Sequence, residues 1–283
     1  MASSSSKDGR LCSSTLPAER NNRHAKGKKA SSDYSKTSTV LAHLLPNGLG
    51  FLGFTLLPLL ASLVLSFFSW PVLGQHKFIG LDNYIRLFTK DPVFFSVFLN
   101  TFYFVVGYVP LNLIFAVGIA VWLNSNIRGG KIFRLIFFLP VFTPMVANAL
   151  VWRLLLTPHG VLDYVLALFH VPSPNWLGSE HLAMPAMILM STWQGFGYNM
   201  LVFSAGLRSI PPPLYEAAAI DGAKPWTRFW KITLPMLTPS IFFGTVMTFI
   251  TSFQVFVQPY VLTAGGPGVS TTTVVYYLYN NGF

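Results

Sequence analysis

An all-α integral membrane protein, a helical bundle of five transmembrane spans, is the fold class this sequence predicts. Composition is the first reason. Of 283 residues, 52% are apolar and only 10% charged, with a mean hydropathy of +0.53, whereas soluble domains run near a quarter charged. The second is length. Apolar segments at about residues 44–70, 94–123, 132–156, 182–207 and 236–262 each exceed the roughly 20 residues needed to cross hydrocarbon. The third is placement, since the charges fall almost wholly in the tail and between these segments.

Taken in order, residues 1–40 come first, Ser-rich and basic. Lys7, Arg10, Arg20, Arg23, Lys26, Lys28, Lys29 and Lys36 stand against Asp8, Glu19 and Asp33. Such a stretch cannot bury enough apolar surface to fold, so a disordered tail near anionic lipid is expected. It has no apolar run for a secretory signal, and its acids disfavour an organelle transit peptide. Without interleaved aromatics or a folded basic face, nucleic acid is not an expected partner. The single cysteine, Cys12, leaves no intrachain disulfide framework and no Cys-based zinc site.

Residues 41–283 then read as one transmembrane domain. The first span is uncharged from Leu44 through Gln75, and the second from Pro92 through Ile127. The third carries Arg134 and Arg153 near its ends, where long basic side chains snorkel. Pro58, Pro110, Pro140, Pro144, Pro185 and Pro239 fall inside spans and are tolerable in packed membrane helices. Between the third and fourth spans, residues 161–169 alternate apolar and polar like a short interfacial helix. After the fifth, Gly265-Gly266-Pro267-Gly268 marks a turn before the chain stops at Phe283.

The loop between the fourth and fifth spans, 208–235, holds Arg208, Glu216, Asp221, Lys224, Arg228 and Lys231. It is too long for a simple reversal and predicts two short helices with a turn. Pro211, Pro212 and Pro213 suit the first turn of a helix, where a missing N–H costs nothing. Residues 214–220 follow as a helix, with Ala217, Ala218 and Ala219 as strong formers. Asp221-Gly222 is a stop signal, with Gly222 able to turn left-handed. Pro225 starts the second helix, and Leu234-Pro235 opens the fifth span. Read locally, this is either a docking surface or an amphipathic loop on the headgroups.

Orientation follows from Lys and Arg. The tail has eight, the loop around Arg128 three and the 208–235 loop four, against three, one and none in the alternate loops. The N-terminus and the 208–235 loop are therefore expected in the cytoplasm.

No catalytic constellation is visible, so an enzyme is not expected. The glycine-rich 264–268 lacks the Gly-Lys-Ser/Thr ending of a phosphate-cradling loop. The six histidines have no ligand spacing, and no metal is expected. No charge lies deep in a span, which argues against an ion-coupled pump. Uncharged polar groups do gather. On the fifth span Thr245, Thr248 and Ser252 form a stripe, with Thr251, Gln254 and Gln258 beside it. On the fourth, Ser191, Gln194, Gly195 and Tyr198 share a face, with Asn199 alongside. Amides, hydroxyls and rings suit a neutral polyol. The competing reading is interhelical hydrogen bonding. Gln194, Gly195, Tyr198, Asn199, Thr248, Thr251, Ser252, Gln254 and Gln258 are the candidate solute path.

Glu216-Ala217-Ala218, then Gly222, then Ile232-Thr233-Leu234-Pro235 resembles the coupling motif of permease subunits in binding-protein-dependent ABC importers. The fuller string is similar to the carbohydrate-uptake branch, maltose and glycerol-phosphate permeases among them. Residues 78–84 also resemble a recurring string of that branch. The resemblance implies that Glu216, Ala217, Ala218, Asp221, Gly222, Ile232, Leu234 and Pro235 couple to a separate ATP-hydrolysing subunit, which would hold ATP and Mg. No cofactor is implied on this chain. It also implies a second permease as heterodimer partner, an extracytoplasmic solute-binding protein, and residence in the lipid of a bacterial cytoplasmic membrane. The family continues into a sixth span that this sequence lacks, so a truncated chain is expected. The function read here is translocation of a sugar or similar polar solute. A membrane scaffold or sensor and an ion-coupled transporter are the alternatives.

Overall fold

The computed structural model describes residues 37–71, 74–125 and 127–282. The expectation of a disordered tail falls on residues 1–36, outside the described residues, and helix begins at Thr37, inside the stretch read as tail.

The chain forms two units, divided after Gly80. In the first, α1 (Thr37–Phe51) runs through a π turn at Leu52–Leu56 into α2 (Leu57–Leu65). The wide turn falls just before Pro58. Proline has no N–H and crowds the preceding turn, and the Leu57 amide reaches back five residues to the Leu52 carbonyl. The first span was expected to reach residue 70, but helix ends at Leu65. There the Ser66 hydroxyl takes up the Leu63 carbonyl at 2.6 Å, and the chain opens into β1 (Phe68–Ser69), antiparallel to β2 (Lys77–Phe78).

The second unit opens with α3 (Asp82–Thr89) and the long α4 (Phe94–Asn124). Asp91 caps α4, its carboxylate accepting the amides of Val93 and Phe94 at 2.9 and 3.0 Å. It also accepts the hydroxyl of Tyr277, from α12 (Val274–Gly282). The bond from Tyr277, and then that from Val93, hold the Asp91 carboxyl below the usual carboxylate range. A depressed folded-state pKa contributes stability above the unfolded value, lost as pH falls through the folded one. The melting-temperature difference between the unmodified protein and Tyr277→Phe should therefore be full at neutral pH and shrink below about pH 4. A difference independent of pH would mean that Tyr277 acts by packing alone.

The third predicted span is not one helix. α5 (Gly130–Phe142) and α6 (Met145–Leu156) are bent by 98°. Pro144 pushes the residue before it out of the helical region, and Thr143 sits at φ −76°, ψ 132°. Asn148 donates to the Pro140 and Thr143 carbonyls at 3.1 and 3.4 Å. It so supplies donors that the broken ladder lacks.

After α7 (Val161–Leu168), α8 (Ala183–Arg208) forms the axis of this unit, with buried residues along its whole length, and it packs on α4. α9 (Pro212–Ile220) is the first short helix of the predicted loop. The second is not separate. α10 (Pro225–Arg228) runs through a π turn at Phe229–Thr233 into α11 (Leu234–Phe253). The wide turn again precedes a proline, Pro235, and the Leu234 amide again reaches back five residues, to Phe229.

The fifth span therefore lies earlier than predicted, at Pro225–Phe253 rather than 236–262. Beyond Gln254 the helix breaks, and Pro259–Thr263 forms an isolated π turn closed by Ala264 at φ +52°. The following turn is stitched to α4. Asn100 donates to Val269 and Thr272, and Thr101 accepts the Val274 amide.

Among the described residues, three helices are long and apolar enough to cross a membrane, or four if the bent α5–α6 pair is one span. α8 is not among them, because it carries the polar residues Ser191 to Asn199. Those residues lie between two apolar clusters. One gathers Phe104, Met184, Met187, Met190 and Val255. The other gathers Ala116, Ala120, Met200, Phe203 and Leu237. Each cluster draws on α4 and α8, so a polar layer separates two apolar ones along the bundle.

Candidate functional site

That polar layer is a connected cluster from three helices. Asn199 of α8 donates through Nδ2 to Asn112 Oδ1 of α4 at 2.6 Å and to Thr248 Oγ1 of α11 at 2.7 Å. Asn112 Nδ2 in turn donates to the Tyr108 hydroxyl at 3.3 Å. Asn112, Asn199 and Thr248 are all buried. Beside them lies a cavity of about 260 Å³, lined by Tyr108, Gly195, Tyr198, Asn199, Met247, Thr248 and Thr251. Its walls carry hydroxyls, an amide and rings but no charge. Asn199 Oδ1 has no hydrogen-bond partner among the described residues, a costly state for a buried acceptor.

Five of the nine predicted path residues thus meet around one cavity: Gly195, Tyr198, Asn199, Thr248 and Thr251. Gln194, Ser252, Gln254 and Gln258 do not line it. Ser252 donates to the Phe249 carbonyl of its own helix at 2.7 Å. Gln254 caps the end of α11, and Gln258 is buried at the start of the next π turn. Ser191 and Thr245 are also turned back on their own helices, at 2.7 Å each from the Met187 and Ile241 carbonyls. Asn199 ties three helices together, while Tyr198 and Thr251 line the cavity, although the Thr251 hydroxyl also donates to the Met247 and Thr248 carbonyls of its own helix at 3.0 and 3.1 Å. Sequence reasoning missed Tyr108 and Asn112. Their signal was an i, i+4 polar pair in the otherwise apolar middle of α4.

The 208–235 segment forms a second candidate site. The stop after α9 is a Schellman motif, with the Gly222 amide bonded to the Ala219 carbonyl at 3.1 Å and the Ala223 amide to Ala218 at 2.9 Å. Gly222 has φ +72°, the left-handed region that only glycine adopts freely. Glu216, Ala217, Asp221 and Gly222 are exposed, Ala218 half-buried. Tyr215 anchors the helix, its hydroxyl 3.0 Å from Thr233 Oγ1 at the foot of α11. Ile232 and Leu234 are half-buried and Pro235 exposed, in the root of the following helix. The motif's two ends therefore do different jobs, one presenting a surface and the other holding it.

Residues 112–282 match the family described as binding-protein-dependent transport system inner membrane component. The chain belongs to this family. The match begins at Asn112 and takes in most of the polar layer and the whole 208–235 segment. The permease is 42% identical over 240 residues to the probable ABC transporter permease YesP of Bacillus subtilis, covering 84% of this chain and 77% of that one. It is 38% identical over 232 residues to the lactose transport system permease LacF of Rhizobium radiobacter, covering 80% and 77%. A chain of the bacterial alginate ABC transporter, solved in complex with an alginate-pentasaccharide-bound periplasmic protein, superposes with a TM-score of 0.70 at 25% identity, covering 87% of this permease and 83% of that chain. The protein is thus a multi-pass membrane permease subunit of an ABC importer, a transport component rather than an enzyme.

Proposed function

We propose that this permease carries a neutral carbohydrate, or a similar uncharged polar solute, through the layer where α4, α8 and α11 meet. One observation carries the reading, the uncharged polar cavity of Tyr108, Gly195, Tyr198, Asn199, Thr248 and Thr251 between two apolar clusters. Amides and hydroxyls replace water around sugar hydroxyls, and a tyrosine ring covers the C–H face. A relative named for lactose import supports a neutral sugar, and the alginate transporter supports carbohydrate more broadly. The remaining predicted path residues, Gln194, Ser252, Gln254 and Gln258, are secondary contacts in this reading.

The energy comes from a separate ATPase subunit holding ATP and Mg, which docks on Glu216, Ala217, Ala218, Asp221 and Gly222. Ile232, Leu234 and Pro235 root that surface in α11. A second permease completes the pathway, and an extracytoplasmic binding protein delivers the solute. The chain contributes five spans, with α5 and α6 forming one broken span and α8 packed against α4, α5 and α11, and residues 41–283 make one translocation domain. The N-terminal tail and α9 face the cytoplasm, which the Lys and Arg distribution supports.

The test is uptake by proteoliposomes holding the full transporter and its binding protein. Tyr198→Ala should raise the KM for a labelled neutral oligosaccharide by on the order of tenfold, the loss that about 1.4 kcal/mol of binding represents. ATP hydrolysis without solute should not change. Unaltered sugar kinetics in that variant, or preferred transport of an anion or amino acid, would overturn the reading.

A further inference from the structure

The start of the α10–α11 helix has two contrasting faces that the coupling role does not use. Trp226, Phe229 and Trp230 form one aromatic cluster, with ring centroids 5.4–5.9 Å apart. Trp226 is 70% exposed and Trp230 51%. At helical spacing, Arg228 and Lys231 fall on the other side, and Lys224 immediately precedes the helix. Both lysines are exposed. No carboxylate pairs with these three cations among the described residues, and the sequence holds no Asp or Glu after Asp221. Arg228 is partly committed, its Nε donating to the Ala223 carbonyl at 2.8 Å.

Aromatic residues on one face and unpaired bases on the other make the signature of a helix lying in the headgroup region. Here it stands at the foot of a membrane-spanning helix, the level at which tryptophans collect. Two tryptophans left half or more exposed need an apolar contact, and the lysines need a negative partner. An anionic bilayer surface supplies both at one depth.

We propose that residues 224–231 bind the headgroups of anionic lipids, with Trp226 and Trp230 inserted at the acyl boundary and Lys224 and Lys231 paired to lipid phosphates. The 208–235 segment is then divided. α9 presents the protein-docking face, and the first turns of the next helix fix the segment to the membrane. This assignment needs only the membrane setting and does not depend on which solute is carried.

The test uses the full chain reconstituted in phosphatidylcholine vesicles containing an equal share of brominated phosphatidylglycerol or brominated phosphatidylcholine. Tryptophan quenching is read in the unmodified protein, in Trp226→Phe/Trp230→Phe and in Lys224→Gln/Lys231→Gln. Brominated phosphatidylglycerol should quench in excess of brominated phosphatidylcholine, and that excess should vanish in both double variants. The preference should fall by roughly five-fold per lysine removed, as expected for a base held at an anionic surface. Quenching by the brominated phosphatidylcholine should persist in the lysine variant, which shows that the helix is still seated. Equal quenching by the two lipids, or an excess that survives Lys224→Gln/Lys231→Gln, would overturn the proposal. So would loss of the excess when the ATPase subunit is added, because the aromatic face would then belong to a protein partner.

Discussion

Gly222→Asp should abolish uptake while the protein still accumulates in the membrane, whereas Gly222→Asn should keep a measurable share of transport. A Cβ at Gly222 would meet nothing within 4 Å, so the site has room for a side chain. The obstacle is conformational and electrostatic. At φ +72° an ordinary L-residue costs roughly 1–2 kcal/mol, and asparagine or aspartate less, since their short polar side chains bond locally. That strain alone does not unfold a bundle whose packing lies elsewhere. The added carboxylate, however, would sit next to Asp221 on the exposed turn of the proposed docking surface. Two adjacent negative charges facing a protein partner repel it or must be desolvated together. Immunoblotting of membranes, solute uptake and co-purification of the ATPase measure the three quantities that matter. Normal uptake by Gly222→Asp would sink the coupling role of this turn. If Gly222→Asn were as inactive as Gly222→Asp, the backbone rather than the charge would be what the partner requires.

The features legible in the sequence are those written in local chemistry. Pro212 and Pro213 at the start of α9, the alanines after them and Gly222 at its end each satisfy a rule about one turn of chain, and α9 forms where those rules put it. The polar face of α8 was visible for the same reason. Tyr108 and Asn112 were not singled out, because two polar groups in a long apolar helix carry no weight until another helix supplies their partners. Asn199 is that partner, 87 positions beyond Asn112 in sequence, and it also holds Thr248, another 49 positions on. Hydropathy also misplaced boundaries. It counted 254–262 as part of the fifth span, although Gln254, Gln258 and Pro259 break the helix there. It joined α5 to α6 because Thr143-Pro144 is apolar enough to pass, yet it is the backbone of those two residues, not their polarity, that bends the chain. Hydropathy likewise says nothing of the π turns at Leu52–Leu56 and Phe229–Thr233, each of which falls just before a proline.

Gly195 and Gly197, two positions apart on α8, should give opposite outcomes when each is replaced by valine. At Gly195 an added Cβ would run into the Tyr108 hydroxyl and approach Asn112 Nδ2 to 3.1 Å. Both are side-chain tips, and the 260 Å³ cavity beside them leaves Tyr108 space to move. Gly195→Val should therefore fold and melt close to the unmodified protein while filling the path, with uptake lost by on the order of tenfold or more, the equivalent of at least about 1.4 kcal/mol. At Gly197 the added Cβ would lie 2.5 Å from the Phe137 carbonyl oxygen, 3.2 Å from Phe138 Cα and 3.0 Å from Val141 Cγ2. Two of these atoms are backbone, and they cannot yield unless α5 itself moves. Small residues at such crossings are what lets membrane helices approach closely, and overpacking a well-filled contact costs about 1–3 kcal/mol or more. Gly197→Val should accordingly lower the melting temperature and the amount of protein in the membrane, with uptake falling only in proportion. Measuring uptake per molecule alongside thermal stability separates the two. A Gly195→Val protein that transports normally would remove the cavity from the solute path, and a Gly197→Val protein of unchanged stability would mean that the α5–α8 contact is not rigid. The contrast follows from what each glycine faces, because a side chain can swing into a cavity whereas a neighbouring helix has to be displaced.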